Sequence, residues 1–502
     1  MDSKKLKHNA LAFLGTGSDV GKSICVTAFC RLLKNEGFDL APFKAQNMSN
    51  NSFVTELGDE MGRAQVVQAE ASKVTPHSDM NPILLKPSTD TGAQVIVNGQ
   101  IHSQQEAKSY FSDRTYFKEQ SQLALKRLQE KHELILIEGA GSCAEVNLRK
   151  NDFVNFETAH AADAPVILIA DIDRGGVFAQ VIGTLAIIPP QDKDRVKGIL
   201  INRFRGDITL FEDGVQYIEE HTGLPVLGVI PYFRDIHIDC EDGFSQEQLI
   251  DPIFPKNSPA KVKIAIIRLP HISNFTDFAT LESDSELLTH YLSRPRDLQD
   301  YDLIIVPGSK NVIFDLKWLR DTGWDKILKE ALKAGKRFCG ICGGFQILGD
   351  NIHDPHAIES SKAESIEGLS FIPAQSTLEK NKTLTRVHGY SETYQAEAEG
   401  YEIHVGQTKI SGDYQAAFTL QDIKSENSTT KQDGYISADR QILASYLHGI
   451  FDKNDFKKAY LQSINPDYTG QYSIDKDLQY DKLAEHFKAS IKVDVLDKIL
   501  FE

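Results

Sequence analysis

Five short apolar runs in the first half of the chain, ALAFLG, ELILIEG, APVILIAD, VKGILIN and LPVLGVI, are continuous rather than alternating. A strand with one wet face alternates apolar and polar residues. A strand covered on both faces does not, and in a parallel sheet the linking helices cover both faces. Amphipathic stretches such as QSQLALKRLQEKH and LFEDGVQYIEEHTG lie between the runs. The rhythm predicts an α/β unit, a mostly parallel sheet flanked by helices. It stops at DCEDGFSQEQLIDPIFPKNSPA, a polar stretch without periodicity, and resumes at KVKIAIIRLP, YDLIIVPGS and KRFCGICGGFQILG. A chain of 502 residues exceeds one ordinary core. Two α/β units are therefore expected, 1–257 and 258–470, followed by a C-terminal helical segment, 471–502. KSENSTTKQDG, Lys424 to Gly434, reads as a surface loop.

The net charge of -16 argues against nucleic acid or an anionic membrane as the main partner, because tracking phosphates needs clustered Lys and Arg. A small-molecule substrate is expected instead. Six cysteines, at 25, 30, 143, 240, 339 and 342, are too few for a disulfide framework, and no apolar window approaches a membrane span. No export signal is visible in MDSKKLKHNALAFLG, so a cytoplasmic protein is expected.

FLGTGSDVGKS, Phe13 to Ser23, has the ending of a phosphate-binding loop, but Thr16 stands where the first glycine of the usual pattern belongs, flanked by Gly15 and Gly17. The context is right: an apolar strand precedes it and a helical pattern, KSICVTAFCRLLKNEG, follows. Backbone N–H groups of such a loop face phosphates, Lys22 reaches the terminal ones, and Ser23 can hold a metal ion. Gly15 and Gly17 still allow tight turning. Glu138, leaving the run ELILIEGAGS, supplies the acid such a site needs. Asp171 and Asp173 in LIADIDRGG are weaker candidates, since acids at strand ends often cap the next helix.

Cys342 in FCGICGGFQILG falls on a sharp turn between a short strand and an apolar helix, where a thiolate is favoured. Cys339 makes a C-x-x-C with it, but no second pair completes a zinc set, so Cys339 reads as a small strand residue. A nucleophile needs a base, and His448 in SYLHGIFD ends an apolar strand aimed at the same sheet edge. Gly308 and Ser309 in IVPGSKN, with Gly343, can offer N–H groups to an oxyanion.

GTGSDVGKS, IEGAG and INRFRGD resemble dethiobiotin synthetase-like phosphate-loop domains, and GICGGFQILG with YLHGIFD resembles class I glutamine amidotransferase domains. With PFKAQNMSNNS, NPILLKP, RLPHISNFTDFATL, DLIIVPGSKNVIFDLKWLR and GYEIHVGQT in order, the chain resembles the cobyric acid synthase family of cobalamin biosynthesis from about Leu11 to the C-terminal helices. NMSNNS and SNFTDFATL favour that family over cobyrinate a,c-diamide synthases, and Thr16 argues against partitioning proteins, which usually carry an early lysine in the loop. The resemblance implies a phosphate-loop fold followed by a flavodoxin-like amidotransferase fold. It also implies ATP and Mg2+, with L-glutamine and adenosylcobyrinic acid a,c-diamide as substrates. On the same ground Gly17, Gly21, Lys22, Ser23 and Asn202 would bind ATP, and Ser23 and Glu138 the metal. Lys44, Gln46 and Asn47 would meet the corrin substrate; Gly308, Ser309, Gly343 and Gln346 would hold glutamine and its oxyanion; Cys342 and His448 would be catalytic. Ile450 stands where many class I members place a glutamate two residues after the histidine. A Cys–His dyad, its imidazole oriented by packing and backbone hydrogen bonds, is therefore expected.

Overall fold

The computed structural model describes residues 5–87, 92–106, 113–239, 259–360, 362–424, 430–471 and 475–501. In the first unit, strands Val226–Pro231, Val196–Phe204, Val166–Asp171, Ala10–Gly15, Leu134–Glu138 and Leu40–Phe43 lie side by side in that order. Every pairing is parallel. The five apolar runs supply five of these strands, and Ala10–Gly15 and Leu134–Glu138 are buried at every position. Helix Lys22–Asn35 packs on one face, with Phe29 against Phe13 at 4.8 Å between ring centres.

The second unit repeats the design. Strands Leu287–Leu292, Val262–Ile267, Leu303–Val306, Arg337–Ile341, Ile442–Ser445 and Tyr435–Ile436 form its main sheet in that order. Its first five strands are mutually parallel, and Tyr435–Ile436 closes the edge antiparallel.

Two features lie beyond the sequence reading and a third corrects it. A small four-stranded sheet, built from Gln46–Met48, Ile83–Pro87, Gly92–Val97 and Gln100–Glu106, sits beside the first main sheet. A long antiparallel hairpin, Ala374–Ser391 with Ala396–Ile410, reaches from the second unit onto the first, where Lys382 pairs with buried Glu60 at 2.5 Å. Lys424–Gly434, expected as a loop, instead contains strand Thr430–Asp433 paired with Phe418–Asp422. Thr430 to Asp433 are polar, and cross-strand backbone bonding overrides their loop-like composition; 425–429 lie outside the described residues, as does most of the polar stretch between the units.

The C-terminal helices Lys476–Lys488 and Val493–Phe501 return to the first unit. Phe487, Leu483, Leu496 and Leu500 join Phe13, Phe29 and Leu136 in one buried cluster. Arg31, buried in helix Lys22–Asn35, pairs with Asp477. Among the described residues no helix is long and apolar enough to cross a membrane.

Candidate active sites in the two units

At the end of strand Ala10–Gly15 the chain turns through Gly21, whose φ of +87° is open to glycine, into helix Lys22–Asn35. A side chain on Gly21 would run into the Asn202 amide. Asn202 donates to the Val20 carbonyl at 2.9 Å, so strand Val196–Phe204, two strands away in the sheet, pins the loop from outside. Lys22 Nζ donates to the carbonyls of Gly17 and Gly141 at 3.1 and 2.9 Å, which draws it across the mouth of the loop. Thr16 is tied by its N–H to Ile169 O at 2.9 Å, so the residue in the unexpected position is held by the sheet itself.

Glu138 is fully buried at the adjacent strand end. Its Oε1 accepts from Ser23 Oγ and from Lys44 Nζ, both at 2.8 Å, and its Oε2 accepts from Gln68 Nε2 at 2.5 Å. A lysine, a serine hydroxyl and a buried carboxylate at the mouth of a glycine turn are the groups that a magnesium nucleotide requires, so the residues present fit one. Gln68 is the contributor that sequence reading missed. It sits in helix Arg63–Ala71, with no loop motif around it. Asn47 is buried and donates to Gln65 Oε1 at 3.1 Å, while Gln46 opens the short strand leading away from Lys44. Asp171 and Asp173 face arginines instead, Arg203 at 3.0 Å and Arg205 at 2.7 Å.

In the second unit, Cys342 sits between strand Arg337–Ile341 and helix Gly343–Leu348 with φ +52° and ψ -104°. This is a strained conformation for a residue with a side chain, and it persists because its surroundings fix it. A methyl group on Gly344 would collide with the Val306 carbonyl, so only glycine lets the helix lie this close to the sheet. Cys342 is 8 % exposed, and its Sγ lies 3.8 Å from Ile403 O. Gly343 abuts the Ser309 N–H, since a Cβ there would stand 2.7 Å from that nitrogen, and Gly308 approaches the His448 ring. Buried Gln346 donates to Tyr446 OH at 3.1 Å, and the Tyr446 ring stacks on His404. Cys339 is buried within its strand.

His448 corrects the dyad expected from the sequence. Its Nδ1 lies 2.7 Å from Asp277 Oδ2, both side chains being almost wholly buried. The other Asp277 oxygen accepts the Gly449 N–H at 3.0 Å, which holds the carboxylate beside the imidazole. Since a carboxylate only accepts, Nδ1 donates and Nε2 is left for Cys342. Burial opposes a charge on His448. The Asp277 carboxylate, by charge and by hydrogen bond, and then the Cys342 side chain outweigh it and push His448 up to about 10. Ile450 is core. The third member comes from the short turn Phe275–Phe278, in the SNFTDFATL stretch, 171 residues upstream of the histidine.

Two family profiles divide the chain as the fold does. Residues 11–243 match the CobQ/CobB/MinD/ParA nucleotide binding domain and 263–456 the CobB/CobQ-like glutamine amidotransferase domain. The chain is 50% identical to a cobyric acid synthase of Chlorobium phaeobacteroides (strain BS1), over 98% of this chain and 99% of that one. It is 48% identical to that of Chlorobaculum tepidum, over 97% of both chains, and 44% identical to that of Limosilactobacillus reuteri (strain DSM 20016), over 98% of both. With a nucleotide loop and a cysteine–histidine–aspartate site in one polypeptide, and half its residues shared with such a relative end to end, the chain belongs to the cobyric acid synthase family of glutamine-dependent amidotransferases.

Proposed function

We propose that this protein amidates the b, d, e and g carboxylates of adenosylcobyrinic acid a,c-diamide, giving adenosylcobyric acid, with glutamine as nitrogen source and ATP as phosphoryl donor. The observation that supports it most is the presence of both sites in one chain of this family.

A carboxylate is a poor electrophile, and phosphorylation converts its oxygen into a leaving group. Lys22 and Lys44 would neutralise charge around the transferred phosphoryl group, and Gln68 would hold Glu138 in place. Magnesium, held by Ser23 and Glu138, would screen the phosphate charge. Gln46, on the strand leaving Lys44, and the residues after it would face the corrin, whereas Asn47 braces that strand from within.

In the second unit, Cys342 Sγ attacks the glutamine amide carbon, and the N–H groups of Ser309 and Gly343 face the developing oxyanion. Protonated His448 gives its Nε2 proton to the departing nitrogen as the C–N bond breaks, releasing ammonia and leaving a thioester. Water then attacks the thioester while His448 takes its proton, and glutamate leaves. Ammonia crosses to the first unit, where it displaces phosphate from the activated carboxyl. Mass spectrometry of the product formed from the a,c-diamide, ATP and glutamine tests the assignment. Four successive mass steps are expected, and a product that stops at none or at a single step would refute it.

A further inference from the structure

His448 is supported on three sides. Asp277 accepts the hydrogen bond from its Nδ1–H, Tyr401 stacks on its ring at 5.3 Å with 12° between planes, and strand pairing sets His448 opposite Tyr401. Two of these supports are tied to the other unit. Asn274, at φ +52°, opens the turn that carries Asp277, and its carbonyl accepts the Asp277 N–H at 3.0 Å. Its side-chain oxygen accepts the Ser52 N–H at 3.1 Å, and the Phe275 N–H donates to Asn51 Oδ1 at 3.2 Å. Tyr401 OH donates to the Ser52 carbonyl at 3.2 Å. Asn51 and Ser52 belong to the first unit, and all four of Asn51, Ser52, Asn274 and Tyr401 are buried.

The same segment lines a cavity between the units. Ser49, Asn50 and Asn51 wall a cavity of about 530 Å³ against Arg268, Pro270 and Trp318 of the second unit. Upstream, strand Gln46–Met48 connects it directly to Lys44, which contacts Glu138 at the nucleotide site. A few residues of backbone thus link the phosphate site, the interdomain cavity and both outer supports of His448.

We propose that Tyr401 is a positioning residue for His448, and that Asn51–Ser52 is the element through which the synthetase unit sets the histidine–aspartate pair. This rests on the amidotransferase reading above. Glutamine hydrolysis is then fully competent only while Asn51–Ser52 keeps these bonds, and a ligand filling the cavity beside it holds it in that bonded position. The hydroxyl of Tyr401 carries the ring's share of the link, beside the two bonds that tie the Asp277 turn to Asn51 and Ser52, because the stack alone involves only residues of the second unit.

The test is Tyr401→Phe, which keeps the stack and removes the bond to Ser52. Glutamate release is measured with and without ATP and the corrin diamide, and amidation from free ammonia is measured in parallel. In the presence of both ligands, kcat for glutamate release is expected to fall on the order of tenfold, with KM for glutamine changed by less than about twofold. Its stimulation by ligands should fall in step, and amidation from ammonia should match the parent. Tyr401→Leu, which also removes the stack, should lose more kcat and narrow the pH range of glutamate release. Parent-like kcat and stimulation in Tyr401→Phe, or equal losses with glutamine and ammonia, would overturn the proposal. A parent that releases glutamate under these ligands but amidates no corrin would instead refute the substrate assignment, and the Tyr401 comparison would still be read from glutamate release.

Discussion

The nucleotide site of the first unit and the cysteine site of the second stand at strand ends of similar parallel sheets, but they are assembled differently. Lys22, Ser23 and the carbonyl of Gly17 lie within one strand–loop–helix passage, and the adjacent strand and the turn after it add Glu138 and Gly141. Cys342, His448 and Asp277 come from three separate segments, and the segments carrying Asp277 and the Tyr401 support are bonded to the first unit. A phosphate-binding turn needs consecutive backbone N–H groups, so its residues must be neighbours in sequence. A nucleophile, its base and the group that orients the base need only converge in space. The first site is therefore self-contained, and the second depends on its neighbour.

Removing the reactive group of each site gives the largest separation. Cys342→Ala should lower glutamine-dependent amidation on the order of 10⁴-fold or more while leaving ammonia-dependent amidation within about twofold of the parent. Lys22→Ala should lower amidation from either source on the order of 10³-fold, because both sources need the activated carboxyl. Rates with each nitrogen source, measured side by side, check both. Loss of ammonia use in Cys342→Ala would mean that the two sites are not separable.

Asp277→Asn comes next, with a loss on the order of 10²- to 10⁴-fold confined to glutamine use. An amide at this position can donate to Nδ1 and so favour the wrong tautomer. It also removes the charge that helps to push His448 up to about 10. The alkaline limb of kcat for glutamine should then move to lower pH. Stability follows the same sign: the folded value lies above the ordinary 6.5, so the stabilisation from the protonated pair is complete below about 6.5 and is lost as pH rises through about 10. The gap in melting temperature between parent and Asp277→Asn should be widest near pH 6 and narrow toward about pH 11. A gap that does not change with pH would exclude a charged pair.

Gly344→Ala tests the packing beneath the cysteine. The added methyl meets a backbone carbonyl, which cannot swing aside as a side chain would. A destabilisation of about 3 kcal/mol is expected, seen in thermal unfolding, with glutamine use lost before ammonia use on warming. The smallest effect is Asn202→Ala, which removes the bond to Val20 and leaves its carbonyl without that donor. About 1 to 2 kcal/mol of looser loop should raise KM for ATP severalfold with little change in glutamate release. A change in glutamate release as large as that in ATP use would blur the contrast between the sites.

The sequence alone determined the two parallel sheets, since continuous apolar runs such as ALAFLG and APVILIAD match strands buried on both faces. It also determined the loop from Gly15 to Ser23 and the turn at Cys342, because tight turns leave glycine and small-residue signatures within a few positions. Tertiary structure alone decided which acid serves His448: Asp277 lies in a short turn, Phe275–Phe278, with no catalytic motif around it, and Ile450 gave the misleading hint of a dyad. It likewise decided that Gln68 braces Glu138, that Asn202 pins the phosphate loop, and that the C-terminal helices close over the first unit. A local turn is governed by backbone sterics acting between neighbours, which sequence records directly. A contact between residues far apart in the chain is set by packing and hydrogen bonding across the folded core, and neither partner carries a mark of the other.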